Sequence, residues 1–393
     1  MSTRFTRRHA TALALTAVTV AALQGVASPI AGASQPSPSD AAPVSAVGQV
    51  EDQTARAVAA SLGDQRWRAQ IRSAALASDQ VDLSALTGRA TAKAGQALKS
   101  TVAKGDQRIA AAKGLGADTG SLLRLRLAAD SMRGALTAGT VPLVAAAGTD
   151  DNAETITAYD SRGRAHTLDA RTTPDRPVYV VDIDVTKAMA AGLGVVDKEL
   201  AKHGLSSAEV AEASEATAEA TEGSRNRAAA AGFWTSRIDA VYLSNDEEPW
   251  VSGDAEIFSI VSGFGFDGKV RVDTVTMPYL DNDGTTYYPN QILVNWSSYK
   301  YNLADVVMME DDGDTNYQAL AKAIADILLT ITDQGAYIPL VNAILDAIPT
   351  SWWTNDPDYV DSWYTLGQNS SGRLNGARGN GWMTISPYFV EQF

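Results

Sequence analysis

The sequence predicts a multidomain α+β protein: an N-terminal helical layer and a small antiparallel meander, then a C-terminal antiparallel β-sandwich carrying an inserted helical hairpin. Three observations predict it. Apolar residues recur at helical spacing through much of residues 51–140. Alternating apolar runs separated by turn residues follow over 141–183. Beyond 233, seven short strand-like runs are divided by Gly, Asp and Asn, the pattern of a sandwich.

Residues 1–33 read as an export signal, with Arg4, Arg7 and Arg8 at the start, an apolar run over 11–23 and a small-residue site at Ala31-Gly32-Ala33. That run falls short of the roughly 20 residues a bilayer span needs, and no later stretch reaches that length. Residues 34–50, rich in Ser, Pro, Ala and Gly, are expected to be disordered. The helical region of 51–140 is anchored by Val58, Leu62, Trp67, Ile71 and Ala75, with further helices over 96–112 and 121–137. A small α+β unit over 141–204 places strands at 141–147, 154–160, 165–169 and 178–183 as an antiparallel meander, then a helix from about Thr186 to His203. Residues 205–232, dominated by Ala, Glu, Ser and Thr, form a linker and the main domain boundary.

In the C-terminal domain, 233–393, strands are expected at 237–243, 255–262, 269–277, 291–296, 304–309, 360–366 and 381–390. Between the fifth and sixth, Tyr317, Leu320, Ile324 and Leu328, then Val341 and Leu345, keep helical spacing. They define a hairpin insertion over 316–349 that packs on a sheet.

Charge is concentrated in that domain. The chain carries a formal net charge of −14, and residues from Phe233 onward hold 22 acids against 7 basic residues, a net of −15. Such a field disfavours nucleic acid and attracts cations. The acids gather at predicted strand ends: Asp246-Glu247-Glu248, Asp281-Asn282-Asp283, Glu310-Asp311-Asp312 and Asp356-Pro357-Asp358. Convergent carboxylates at the ends of neighbouring strands need a cation, and a hard one such as calcium takes six to eight oxygens.

Other chemistries are excluded. There is no cysteine, and with His9 in the signal only His166 and His203 remain, so a cysteine nucleophile or a histidine-rich zinc site is out. No Gly-x-Ser-x-Gly elbow or phosphate-binding glycine loop occurs. An EF-hand fails as well: placing Gly284 or Gly313 at the invariant glycine puts Tyr279 or Met308 at the first ligand position.

The run Asp246-Glu247-Glu248, Gly253-Asp254-Ala255-Glu256, Val306 to Asp312 and Asp356-Pro357-Asp358 resembles bacterial relatives of the calcium-dependent sandwich domains of the synaptotagmin and protein kinase C type. The resemblance implies a calcium site made of Asp246, Glu248, Asp254, Glu256, Glu310, Asp311, Asp312 and Asp358. The helical insertion before the last loop departs from the animal domains. The Asp281-Asn282-Asp283-Gly284 stretch reads as a hairpin turn outside the site. The whole mature chain also looks like a secreted bacterial family of uncharacterised function, on the segments 281–312 and 356–393.

The expected function is that of a secreted, extracellular calcium-binding protein. It is read as a binding or calcium-stabilised module engaging an envelope, polysaccharide, lipid or protein ligand, and without a transmembrane segment in the mature chain. The alternative is a secreted carboxylate-dependent hydrolase acting on glycans, with Trp250, Trp296, Trp352, Trp353 and Tyr287-Tyr288 as stacking platforms.

Overall fold

The computed structural model describes residues 45–147, 153–207, 232–244, 255–311, 313, 315–348 and 359–391. The expected export signal, and most of the expected disordered segment and linker, lie outside the described residues. The fold is mixed α+β, with eight α-helices and three sheets among the described residues. Residues 43–393 form one compact unit.

The first helix, α1 (Ala46–Ser61), starts inside the segment expected to be disordered. Ser45 caps it by accepting from the Gly48 amide at 2.9 Å, and Val47 and Val50 are buried. The helices α2 (Gln65–Ala77), α3 (Leu83–Gly88) and α4 (Lys93–Ala112) follow. With α1 they cover a six-stranded sheet through a core containing Trp67, Ile71, Val102, Ile109, Leu125 and Tyr179.

That sheet runs in the order β1-β2-β6-β3-β4-β5, built from β1 (Gln80–Asp82), β2 (Leu123–Leu127), β3 (Leu143–Ala146), β4 (Thr155–Tyr159), β5 (Ala165–Asp169) and β6 (Val178–Ile183). Two expectations are corrected here. Residues 121–137 are not one helix: Leu123-Arg124-Leu125-Arg126-Leu127 alternates with period two and forms β2, and only α5 (Arg133–Thr137) is α-helical in that stretch. The meander stops at β5, because β6 inserts between β2 and β3 and runs parallel to β3. All six residues of β6 are buried, as a central strand requires.

Helix α6 (Val185–Lys202) leaves β6, capped by Asp184 on the Lys187 amide. Its start joins the first core through Ala188, while Met189, Leu193, Val196 and Leu200 enter a second core. That second core lies against a four-stranded sheet, β13-β12-β8-β9, made of β8 (Ile257–Phe264), β9 (Val270–Met277), β12 (Leu303–Glu310) and β13 (Tyr359–Gly367). It also takes in α7 (Tyr317–Leu328) and α8 (Val341–Ala347), the two helices of the expected insertion.

The other face of this sheet contributes Ile257, Val261, Val306, Met308 and Trp363 to a third core. Ile238, Val241, Met383 and Ile385 reach it from a five-stranded sheet of β7 (Gly232–Leu243), β10 (Thr286–Tyr287), β11 (Gln291–Asn295), β14 (Gly372–Asn375) and β15 (Gly381–Glu391). On β12 the alternation is explicit, with Val306 and Met308 facing one core and Val307 and Met309 the other.

Residues 205–207, at the start of the expected linker, are tied to β9. The Val272 amide donates to the Leu205 carbonyl at 2.7 Å, Arg271 donates to the Gly204 carbonyl at 2.8 Å, and the Ser207 hydroxyl donates to Asp273 at 3.0 Å.

Candidate functional site

The antiparallel register of the four-stranded sheet sets the geometry of the acidic strand ends. Glu310, the last residue of β12, pairs with Ile257, the first of β8, and Met309 pairs with Tyr359, the first of β13. Three strand ends thus lie side by side at one end of one sheet. Of the sequence-derived ligands, Glu256, Glu310 and Asp311 belong to the described residues, whereas Asp246, Glu248, Asp254, Asp312 and Asp358 lie outside them. The Asp311 amide donates to the Glu256 carbonyl at 3.0 Å, which joins two of the ends directly. No group of three or more His, Asp or Glu suited to a metal occurs among the described residues.

Asp311 has a different employment. Lys113, fully buried, places its amine 3.0 Å and 3.2 Å from the two Asp311 oxygens and 2.9 Å from the Gly313 carbonyl. The Gly313 amide and the Tyr317 hydroxyl donate to the same carboxylate, and the Lys113 amine sits 5.3 Å from the Tyr317 ring centroid. Both oxygens of Asp311 are therefore committed within the protein rather than open to a cation.

The sequence builds this clasp from two helix ends. Helix α4 stops at Gly114, whose φ of +67° is a left-handed conformation that favours glycine. The Leu115 amide donates back to the Ala110 carbonyl at 2.8 Å, the closure that Gly at this position allows. A Cβ on Gly114 would also lie 2.8 Å from Asn316 Oδ1. The released carbonyls of α4 are used by α7: Asn316 donates to Ala112 at 2.8 Å and the Tyr317 amide to Lys113 at 3.1 Å. Asn316 meanwhile caps α7 by accepting from the Ala319 amide.

Two more buried aspartates hold backbone in the same sheet. Asp305, on β12, accepts from the Leu340 amide at 2.5 Å, the Thr365 amide at 2.6 Å and the Tyr337 hydroxyl at 2.8 Å. Burial outweighs these donors and raises its pKa. Asp361, on β13, accepts from the amides of Arg378 at 2.8 Å and Gly381 at 2.9 Å, and so pins the turn between β14 and β15. On β9, Asp273 accepts from Tyr299 at 2.7 Å and from Ser207, and burial again raises its pKa, as it does for Asp197 nearby on α6.

The two histidines have local partners. His166 lies 3.2 Å from Asp160, whose carboxylate is held well below the ordinary range chiefly by the Arg164 amide, and His203 lies at the end of α6 near Glu199.

The chain matches the family described as "Protein of unknown function (DUF3103)" over residues 54–393. The chain belongs to this family. The DUF3103 match runs from within α1 to the last residue, and so takes in all three sheets and the Lys113 clasp. No curated protein and no solved structure matches the chain. The likeness to synaptotagmin-type domains accordingly rests on the sequence pattern, whereas membership of a family of uncharacterised function is shown. No described helix is long and apolar enough to cross a membrane.

Proposed function

We propose that the protein is an exported, non-catalytic binding module in which calcium stabilises acidic loops at the end of a two-sheet sandwich. The observation that supports this reading is the register that puts the ends of β8, β12 and β13 side by side. Acid-bearing segments of the sequence, 246–256, 310–314 and 356–358, adjoin these ends. The shared apolar core of the four- and five-stranded sheets supports the sandwich.

With Asp311 held by Lys113, the ligand set reduces to Asp246, Glu248, Asp254, Glu256, Glu310, Asp312 and Asp358. A C-terminal half of net −15 gains by taking up a divalent cation, since its carboxylates repel one another. A cation that binds only the folded chain at a hundredfold excess over Kd adds about 2.7 kcal/mol.

The test is thermal unfolding of the mature protein in excess calcium and in chelator, repeated with Asp246→Asn, Glu248→Gln and Asp254→Asn combined. The expected result is a calcium-dependent rise in the midpoint that the triple variant loses. An equal midpoint in calcium and chelator for the unaltered protein would refute the reading.

A further inference from the structure

We infer that the groove formed by residues 276–291 is a binding site for a neutral carbohydrate. Its volume is about 570 Å³, and Pro278, Tyr279, Tyr287, Tyr288, Pro289 and Gln291 line it. Three aromatic rings serve one concavity. Tyr279 and Tyr287 stand 6.0 Å apart between centroids at 49°, and Tyr288 is 72% exposed. An exposed ring beside two further rings gives a stacking platform, and pyranose C–H faces are of matching size and polarity. The chain bends round the groove at Asn290, whose φ of 52° is left-handed, a conformation asparagine tolerates.

Hydrogen-bond polarity selects the ligand. The Tyr279 hydroxyl donates to Gln291 Oε1 at 2.6 Å, and the Tyr287 hydroxyl donates to Asp281 at 2.7 Å. Gln291 in turn donates to the Thr276 carbonyl at 2.7 Å. The phenol protons are thus spent inside the protein; the Tyr287 oxygen is further engaged by Asn282 and Thr285, and what the Tyr279 oxygen retains is acceptor capacity. A polyol brings surplus hydroxyl donors and meets that offer. A proline-rich peptide brings carbonyl acceptors and needs the very donors that are committed.

Charge narrows the class further. Among the described residues no charged side chain lines the groove, the Asp281 carboxylate beside Tyr287 offers nothing to an anionic sugar, and the net −15 of this half repels polyanions. The groove lies on the edge where β10 and β11 pair with β7, built from residues other than the proposed calcium ligands, so this inference stands independently of calcium.

The experiment is native gel electrophoresis of the full mature protein through gels containing β-glucan, mannan, starch or soluble chitosaccharide, in calcium and in chelator. Calorimetry against the corresponding hexasaccharides and against a proline decamer accompanies it. At least one neutral glycan is expected to retard the protein in both buffers. Tyr288→Ala should weaken that binding at least tenfold without moving the unfolding midpoint, because the ring is exposed. Tyr279→Phe, which removes an acceptor and keeps the ring, should weaken it less. Absence of retardation by every glycan, equal binding by Tyr288→Ala, or binding of the decamer in place of sugar would overturn the inference. Release of reducing ends from the bound glycan would leave the site standing and overturn the non-catalytic reading above.

Discussion

Replacing Lys113 with Met keeps the length and apolar stem of the side chain while removing its charge and three donors. The amine it deletes contacts both oxygens of Asp311 and the Gly313 carbonyl, and both side chains of the pair are fully buried. The carboxylate would retain the Gly313 amide and the Tyr317 hydroxyl but face no compensating charge. Leaving one buried group without its partner costs about 1–3 kcal/mol, and stranding a buried charge brings the total to about 3–5 kcal/mol. For a unit of this size that corresponds to roughly 4–7 °C in midpoint. The assay is urea unfolding of Lys113→Met, Asp311→Asn and the double variant. Because Asp311→Asn removes the stranded charge, the double variant should lose less than the two single losses combined, by at least about 1.5 kcal/mol. Strict additivity, or a loss under about 1 kcal/mol for Lys113→Met, would refute the view that this pair ties α4 to the start of α7.

Two further outcomes follow from the other buried aspartates. Burial raises the Asp273 pKa, so the native state holds that proton more tightly than the unfolded chain; its contribution favours the fold at low pH and is lost as pH rises through the native pKa. Asp273→Asn, which can still accept from Tyr299, should therefore raise stability above the native pKa and flatten the fall of stability as pH rises beyond the ordinary carboxylate range, read as denaturation midpoints at each pH; an unchanged slope would contradict it. At Gly376 an added Cβ would lie 2.1 Å from the Asp361 carboxyl, so Gly376→Ala should destabilise by about 1–3 kcal/mol, and a neutral effect on the urea midpoint would show that the β14–β15 turn is not held by Asp361.

The C-terminal strands were legible because each antiparallel strand buries side chains in an alternating pattern between turn residues, and β7, β8, β9, β12, β13 and β15 fall within a few residues of their expected positions. Strand β2 carried an equally clear signal in its Leu-Arg alternation, but its helical surroundings masked it. The crossover of β6 had no local signature, since parallel pairing to β3 is a long-range choice. The start of α1 was hidden by small residues, which leave helix and coil alike in composition.

Charge alone does not separate a metal ligand from a group that gathers amides. Asp311 sits in the most acidic run of the chain and is paired with a lysine 198 residues earlier, a partner no local window contains. Asp305 lies within an apolar strand and gave no functional signal, yet it fixes the start of α8 and the left-handed backbone of β13 at Thr365. For the groove, Tyr287 and Tyr288 were visible as adjacent aromatics, while Tyr279 and Gln291 join them only through the fold.

Helix α6 has a practical consequence for anyone handling the gene. Its residues Met189, Leu193, Val196 and Leu200 share a core with Phe258, Phe264 and Val272 of the four-stranded sheet. A fragment cut to begin at Phe233 would carry that sheet without one of the three helices that share its core, presenting a greasy face at the moment it leaves the ribosome. Such a fragment belongs in inclusion bodies, whereas the two halves co-produced as separate polypeptides have the means to reassemble.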